Sequence, residues 1–385
     1  MAAKYPHLVR PLHVSSPKPE GKIRVGFVSP HMKAHSLGEL YIGWLRHSDP
    51  ALLEMYCYYL GEVEDSLTQE FGRYSHVFRK LAGSIEAIAA QILSDELHVV
   101  IFPEISLEAT TVQLAALRLA PIQCATWIHP VTSGLPTVDY FLSSELMEPS
   151  NGREHYTETL VPLPNLGISY PKPQLPQLSK GRDFFGLCED SVVYLACQSL
   201  MKYLPQHDGA YARILRDVPQ SQIVFIAHPS DRITEQFQLR LARTFEQFGL
   251  DMRDRCIIAP RLAERDYLNL NQLADVFLDS FSWSGGITTL KAIAYGLPVV
   301  TCPGDLMRGR HSYAILQMLG ITETIARTED EYVDVSVRLG VDLTWRQQIK
   351  EQMEQQRDLL YDDRECIRAF EEFCSTTARR SSLKM

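Results

Sequence analysis

Short apolar, β-branched runs alternate along this chain with longer stretches in which apolar positions recur at helical spacing. The runs at 22–29 (KIRVGFVS), 53–61 (LEMYCYYLG), 98–104 (HVVIFPE), 122–128 (IQCATWI) and 138–144 (VDYFLSS) predict strands, with helices at 84–95 and 108–119. These runs are apolar throughout instead of alternating with polar residues, as expected of strands buried on both faces. Strands alternating with helices predict a parallel sheet with crossover helices. A proline-rich stretch over 160–182 suits neither a strand core nor a helix interior. The pattern then restarts, with strands at 192–197, 222–227, 256–260, 275–279 and 298–302 and helices from about 207, at 233–248, 264–273 and from 288. From 329 onward the chain is charged and helical in character. The expected organisation is a leader or linker over 1–21, an amino-terminal lobe over 22–165 and a proline-rich linker over 166–182. A carboxy-terminal lobe over 183–360 and a terminal helix or tail over 361–385 complete it. The fold class is α/β, with two doubly wound, Rossmann-like domains, a cleft between them and helices at the end.

Composition narrows the function. At 385 residues, 45% apolar and 22% charged, the chain is globular and neither disordered nor fibrous. Asp and Glu number 47 against 38 Lys and Arg, a net charge of −9 that argues against a nucleic-acid or anionic-membrane partner. The start has no apolar core of signal-peptide length and no run reaches membrane-spanning length, so a cytoplasmic protein is expected. Eight cysteines without a C-x-x-C read as buried hydrophobes in a reduced compartment and not as a zinc site.

The richest segment is DVFLDSFSWSGGITTLKAIAYGLPVV over 275–300. A strand ends at Asp279, Ser284, Gly285 and Gly286 form a loop, and Thr288 and Thr289 open a helix. Unpaired N–H groups and the positive dipole end of such a helix favour a phosphate, and glycines let it approach the backbone. A plain strand–turn–helix capped by Ser or Thr has the same signature.

Four blocks in order bring a resemblance. They are RVGFVSPHMKAHSLGEL (24–40), LRLAPIQCATWIHPVTSGLPTVDYFLSS (117–144), VVYLACQSLMKYLPQ (192–206) and the stretch 261–312, which includes QLADVFLD and GLPVVTCPGDLMRGRHS. Together they resemble the O-GlcNAc transferase/SPINDLY family of GT-B glycosyltransferases, without the tandem helical repeats of the animal enzyme. The resemblance implies inverting transfer of a sugar, N-acetylglucosamine from UDP-GlcNAc in the first instance, to Ser/Thr hydroxyls of proteins. GDP-fucose is the donor of SPINDLY-type relatives, and a third branch glucosylates asparagine. A nucleotide sugar and a protein or peptide acceptor are the implied partners. No metal or other cofactor is implied, and the absence of an Asp-x-Asp pair at a strand end agrees with this.

Residue by residue, the resemblance assigns Lys202 to the donor diphosphate and His35 to positioning or deprotonating the acceptor, with His31 a weaker candidate. Gln198 or Ser199 would serve the diphosphate, with Ser284, Gly285, Gly286, Thr288 and Thr289 forming the phosphate turn. Tyr267 would stack on the base, Leu262 would offer backbone groups to its edge, and Arg310 lies at the family's arginine after the PG turn. His129, Thr132, Ser133 and Gly134 would line the acceptor side. The chain departs from the family at Lys291, where an acidic residue suited to ribose hydroxyls is common. It departs again near Ala90 and Leu93, where the animal enzyme has an Asp–His pair. These departures motivate a rival reading as a sugar-nucleotide-binding homologue without turnover, and a nucleotide-sugar epimerase of the same architecture is a third.

Overall fold

The computed structural model describes residues 21–175 and 177–381, so the leader expected over 1–21 lies outside the described residues up to Glu20. The chain forms two units, one running through Pro171 and resuming at Tyr361, the other spanning Lys172–Leu360.

The first unit holds seven strands: β1 (Ile23–Ser29), β2 (Leu53–Tyr59), β3 (Val77–Lys80), β4 (Val99–Phe102), β5 (Ile122–Thr126), β6 (Tyr140–Ser144) and β7 (Thr159–Leu163). Their order is β3-β2-β1-β4-β5-β6-β7 and every pairing is parallel, as the apolar runs predict. Strand order reverses between β1 and β4, and in sheets of this class ligands bind beyond the carboxyl ends of the strands at such a point. Phe27 of β1 anchors the core: its ring stacks on Tyr41 at 5.9 Å and meets Trp44 and Phe370. Phe370 belongs to the last helix, Glu365–Ser381, and stacks on Trp44 at 5.1 Å. Burying these aromatic faces explains why the terminal helix returns to the first sheet. The helix Ser36–His47 passes so close to the backbone that a Cβ on Gly43 would lie 1.8 Å from the Ser169 carbonyl oxygen, so only glycine fits.

Both strands absent from the apolar pattern, β3 and β7, are edge strands. Pro162 lies inside β7, so the proline-rich stretch begins in an edge strand and not in a strand core. At an edge, a missing backbone N–H costs no ladder hydrogen bond.

The second unit holds β8 (Val192–Ala196), β9 (Ser221–Ile226), β10 (Cys256–Ala259), β11 (Val276–Leu278) and β12 (Val299–Val300), all parallel, in the order β10-β9-β8-β11-β12. Its reversal falls between β8 and β11, which sends the segments after these two strands to one crevice. Tyr203, Phe225 and Phe237 pack together with centroids 5.0–5.9 Å apart, Phe225 edge-on to both others. All eight cysteines are free; six are buried, whereas Cys188 is exposed and Cys302 only half-buried. Among the described residues no helix is long and apolar enough to cross a membrane.

Candidate active site

After β11 the chain must turn sharply to enter the helix Ile287–Ala294, and one carboxylate organises that turn. Asp279 is 2% exposed and accepts hydrogen bonds from Ser284 Oγ (2.6 Å), Gly285 N (2.7 Å), Thr301 Oγ1 (2.8 Å) and Gln198 Nε2 (3.3 Å). Burial pushes its carboxyl up, and these hydrogen bonds oppose that rise. A Cβ on Gly285 would lie 2.5 Å from Thr288 Oγ1 and 2.8 Å from Thr289 Oγ1, so the turn requires glycine there. Ser282 just before it takes a positive φ of 62°, a strained state for a serine.

From the segment after β8, Lys202 reaches this turn and its Nζ donates to the Ser284 carbonyl at 3.0 Å. Burial lowers its pKa to about 8, partly offset by the Asp279 charge. The Thr288 hydroxyl oxygen is buried with no hydrogen-bond partner at the start of the helix. A half-buried ammonium, an open hydroxyl and unpaired helix N–H groups together suit an anion.

Several expected donor contacts take other roles. Thr289 is fully buried, donates to the Gly285 carbonyl and bonds the Ser312 hydroxyl, so its side chain holds the turn instead of facing a phosphate. Gln198 is engaged by Asp279 and by the Tyr203 hydroxyl, which leaves the exposed Ser199 as the free polar side chain of that pair. The Ser284 hydroxyl is likewise turned inward to Asp279 and Ser312. Gly286 immediately precedes the helix, whose first turn carries Thr288. The Tyr267 hydroxyl lies 3.2 Å from Cys197 Sγ, with Leu262 half-buried upstream. Arg310 places its guanidinium 4.4 Å over the Tyr313 ring and donates to the Gly304 carbonyl at 3.4 Å.

In the first unit the loop after β1 carries the two histidines. His35 caps the helix Ser36–His47, with Nδ1 accepting from Leu37 N at 3.2 Å, and His31 stacks on it at 4.6 Å. Because Nδ1 is the acceptor, the neutral ring carries its hydrogen on Nε2. Burial lowers both pKa values, that of His31 to about 4, so both rings are neutral at pH 7. Asp65 pins the loop by accepting from Ala34 N at 2.7 Å.

The second loop, His129 to Gly134, is held by a residue that the sequence did not flag. Glu158 accepts from Thr132 Oγ1 and Ser133 N, both at 2.7 Å, and from Ser133 Oγ; Gly134 then turns the chain at φ +64°. His129 beside it is kept neutral by burial. Burial raises the Glu158 carboxyl, but the hydrogen bonds from Ser133 and Thr132 outweigh it and hold the pKa below the usual range. Glu158→Ala is therefore expected to cost about 2 kcal/mol, read as a lower midpoint in denaturant. The depressed pKa means that the stabilisation is complete above the unfolded value and is lost as pH falls through the folded one. The difference between parent and variant should vanish in acid.

With both sites described, similarity to known proteins decides the family. The profile of glycosyl transferase family 41 matches residues 7–168 and 172–366. The chain belongs to that family. Over 341 residues it is 30% identical to a SPINDLY protein of Arabidopsis thaliana, named a probable UDP-N-acetylglucosamine–peptide N-acetylglucosaminyltransferase, covering 85% of this chain and 36% of that one. A second Arabidopsis thaliana protein, SEC, bears the same enzyme name and is 24% identical over 329 residues, covering 83% of this chain and 33% of its own. The chain thus spans about a third of the length of these curated relatives. Among solved structures, a mutant of the Thermobaculum terrenum O-GlcNAc transferase superposes with a TM-score of 0.87 at 25% identity, covering all of this chain and 73% of that one. A Thermosynechococcus elongatus sucrose-phosphate synthase, at 11% identity and a TM-score of 0.60 over 94% of this chain and 100% of its own, shares the fold alone. The architecture is GT-B.

Two features of this family 41 chain acquire physical reasons. Gln123 in the APIQ block is fully buried; its amide donates to the carbonyls of Ala115, Leu117 and Thr137 and accepts from Leu119 N. It therefore ties the segment 115–119 to Thr137, just beyond the loop His129–Gly134. Lys291, the departure after the double threonine, donates to Glu264 at 2.8 Å, so a carboxylate from the neighbouring helix neutralises the ammonium.

Proposed function

We propose that the chain is the catalytic region of an inverting glycosyltransferase that moves N-acetylglucosamine from UDP-GlcNAc to Ser or Thr hydroxyls of proteins. The donor and the peptide acceptor are those in the relatives' names. The observation that carries the reading is Lys202, a half-buried ammonium resting on the carbonyl of the Ser284–Gly286 turn. As the glycosidic bond breaks, negative charge grows on the leaving diphosphate. An ammonium and helix N–H groups already oriented there stabilise that charge without reorganising. Ser199 and the Thr288 hydroxyl supply further donors, while Tyr267 and the backbone near Leu262 receive the base. In this reading Lys202 and the helix start replace a cation, so transfer continues in EDTA.

On the acceptor side, His35 presents Nε2–H while its Nδ1 stays on the helix cap. The ring in this state orients the acceptor hydroxyl, and it would have to leave the cap to accept a proton through Nδ1. The loop His129–Gly134 lines the acceptor. The protein is incubated with UDP- and GDP-sugars and cell-extract proteins in EDTA, following nucleotide release and peptide mass. GlcNAc on Ser/Thr peptides supports the proposal. Transfer of fucose from GDP-fucose alone overturns the donor assignment, and an altered sugar stereocentre without transfer points to an epimerase. Binding without release makes the chain a binding module.

A further inference from the structure

His311 opens the helix His311–Met318, one residue after Arg310, and is 4% exposed. Its ring donates toward the Ser284 backbone carbonyl, the same group that receives Lys202. It also sits beside the phosphate turn: a Cβ added to Gly286 would lie 3.7 Å from Nδ1, so the imidazole is next to the start of the helix Ile287–Ala294. The next residue, Ser312, binds Ser284 Oγ through its backbone N–H at 2.8 Å, which fixes the helix to the turn.

Charge counting gives this placement a consequence. A nucleotide-sugar diphosphate carries two negative charges, and Lys202 supplies one positive charge. Asp279 beneath the turn, whose charge acts on Lys202, is already engaged by four hydrogen-bond donors. The charged group that acts on the ring is Lys202, while Arg310, the preceding residue, turns its guanidinium over the Tyr313 ring. We propose that His311 is the second cation of the donor site: its ring takes one proton from solvent as the diphosphate arrives and then donates to it. The free protein is ready for this exchange, because burial and the Lys202 charge hold His311 down to about 3. An anion in the turn reverses the second of these effects and adds an attraction of its own.

The proposal rests on the donor reading above, and the test separates the two. Calorimetric titrations at about pH 6.5 use UDP-GlcNAc and, separately, GDP-fucose, whose diphosphates have no proton titrating near neutrality. Two buffers of different ionisation heat reveal proton transfer. Between roughly half and one proton should enter per nucleotide sugar bound, since Lys202 is already charged at this pH. His311→Gln and His311→Asn should abolish the uptake and weaken binding about tenfold at pH 6.5, with a smaller loss at pH 8. Binding by the parent without proton uptake, or uptake that persists in a folded variant, overturns the role of His311 and leaves the donor reading standing. Failure of both nucleotide sugars to bind overturns the donor reading and this proposal together. The parent measurement alone decides the matter if neither variant folds.

Discussion

Lys202→Met is expected to lower sugar transfer by about three orders of magnitude while leaving the thermal midpoint unchanged or raised. The loss follows from removing the Lys202 ammonium from the turn, since charge stabilisers of this kind are worth about 10²–10³ in rate each. The retained stability follows from the cost of burying that ammonium. Burial lowers the Lys202 pKa to about 8, whereas the unfolded chain holds the proton to about 10.4. The unfolded state therefore binds more protons between these values, and stability rises with pH across that window. Below it the folded protein carries the full penalty, on the order of 3 kcal/mol. Methionine removes this penalty, fills a similar volume and forfeits the hydrogen bond to Ser284, worth about 1 kcal/mol. Transfer by the parent should also decline above about pH 8 as the ammonium loses its proton. A lowered midpoint in Lys202→Met, or a rate within tenfold of the parent, would show the lysine to be structural.

Asp279→Ala is expected to fail in the opposite way, losing stability and nucleotide binding together. Four donors converge on this carboxylate, from β8's continuation, the turn and β12's continuation. Removing it leaves Gly285 N and the Ser284 and Thr301 hydroxyls buried without their acceptor, at about 1–3 kcal/mol each before relaxation. A net loss of about 3–5 kcal/mol is the expectation, which for a unit of this size lowers the midpoint on the order of 10 °C. Asp279→Asn keeps the volume but turns one oxygen into an amide that meets N–H and O–H donors, so it should fall between parent and alanine. Calorimetry for stability and a nucleotide-sugar titration for binding check both effects. If Asp279→Ala bound the nucleotide sugar as tightly as the parent, the carboxylate would not be what shapes the turn.

The sequence named candidate residues but did not show which way their side chains face. Thr288 and Thr289 read alike as helix-opening hydroxyls, yet only Thr288 keeps an open oxygen, because the next residue on the helix rotates about 100° toward Ser312. Gln198 and Ser199 were equivalent candidates until Tyr203, five residues beyond Gln198, proved to occupy the amide. Asp275 and Asp279 flank one strand yet take different partners. Asp275 pairs with Arg182 and Arg346, at 3.2 and 3.3 Å, while Asp279 organises the glycine turn. Glu158 and His311 carried no local signal, since each acts on a loop distant in sequence.

What the chain's own pattern determined was the repeating strand–helix architecture, the parallel sheets and the glycine turn, because periodicity and backbone permissiveness are local properties. Two edge strands escaped it, since an edge demands neither continuous burial nor a complete set of backbone donors. Tertiary structure alone decided that the last helix joins the first sheet, through the faces of Phe27, Trp44 and Phe370. It alone brought Lys202, Asp279 and His311 around a single turn. Those residues come from segments as much as 109 positions apart, and only the order reversal between β8 and β11 makes their strand ends neighbours.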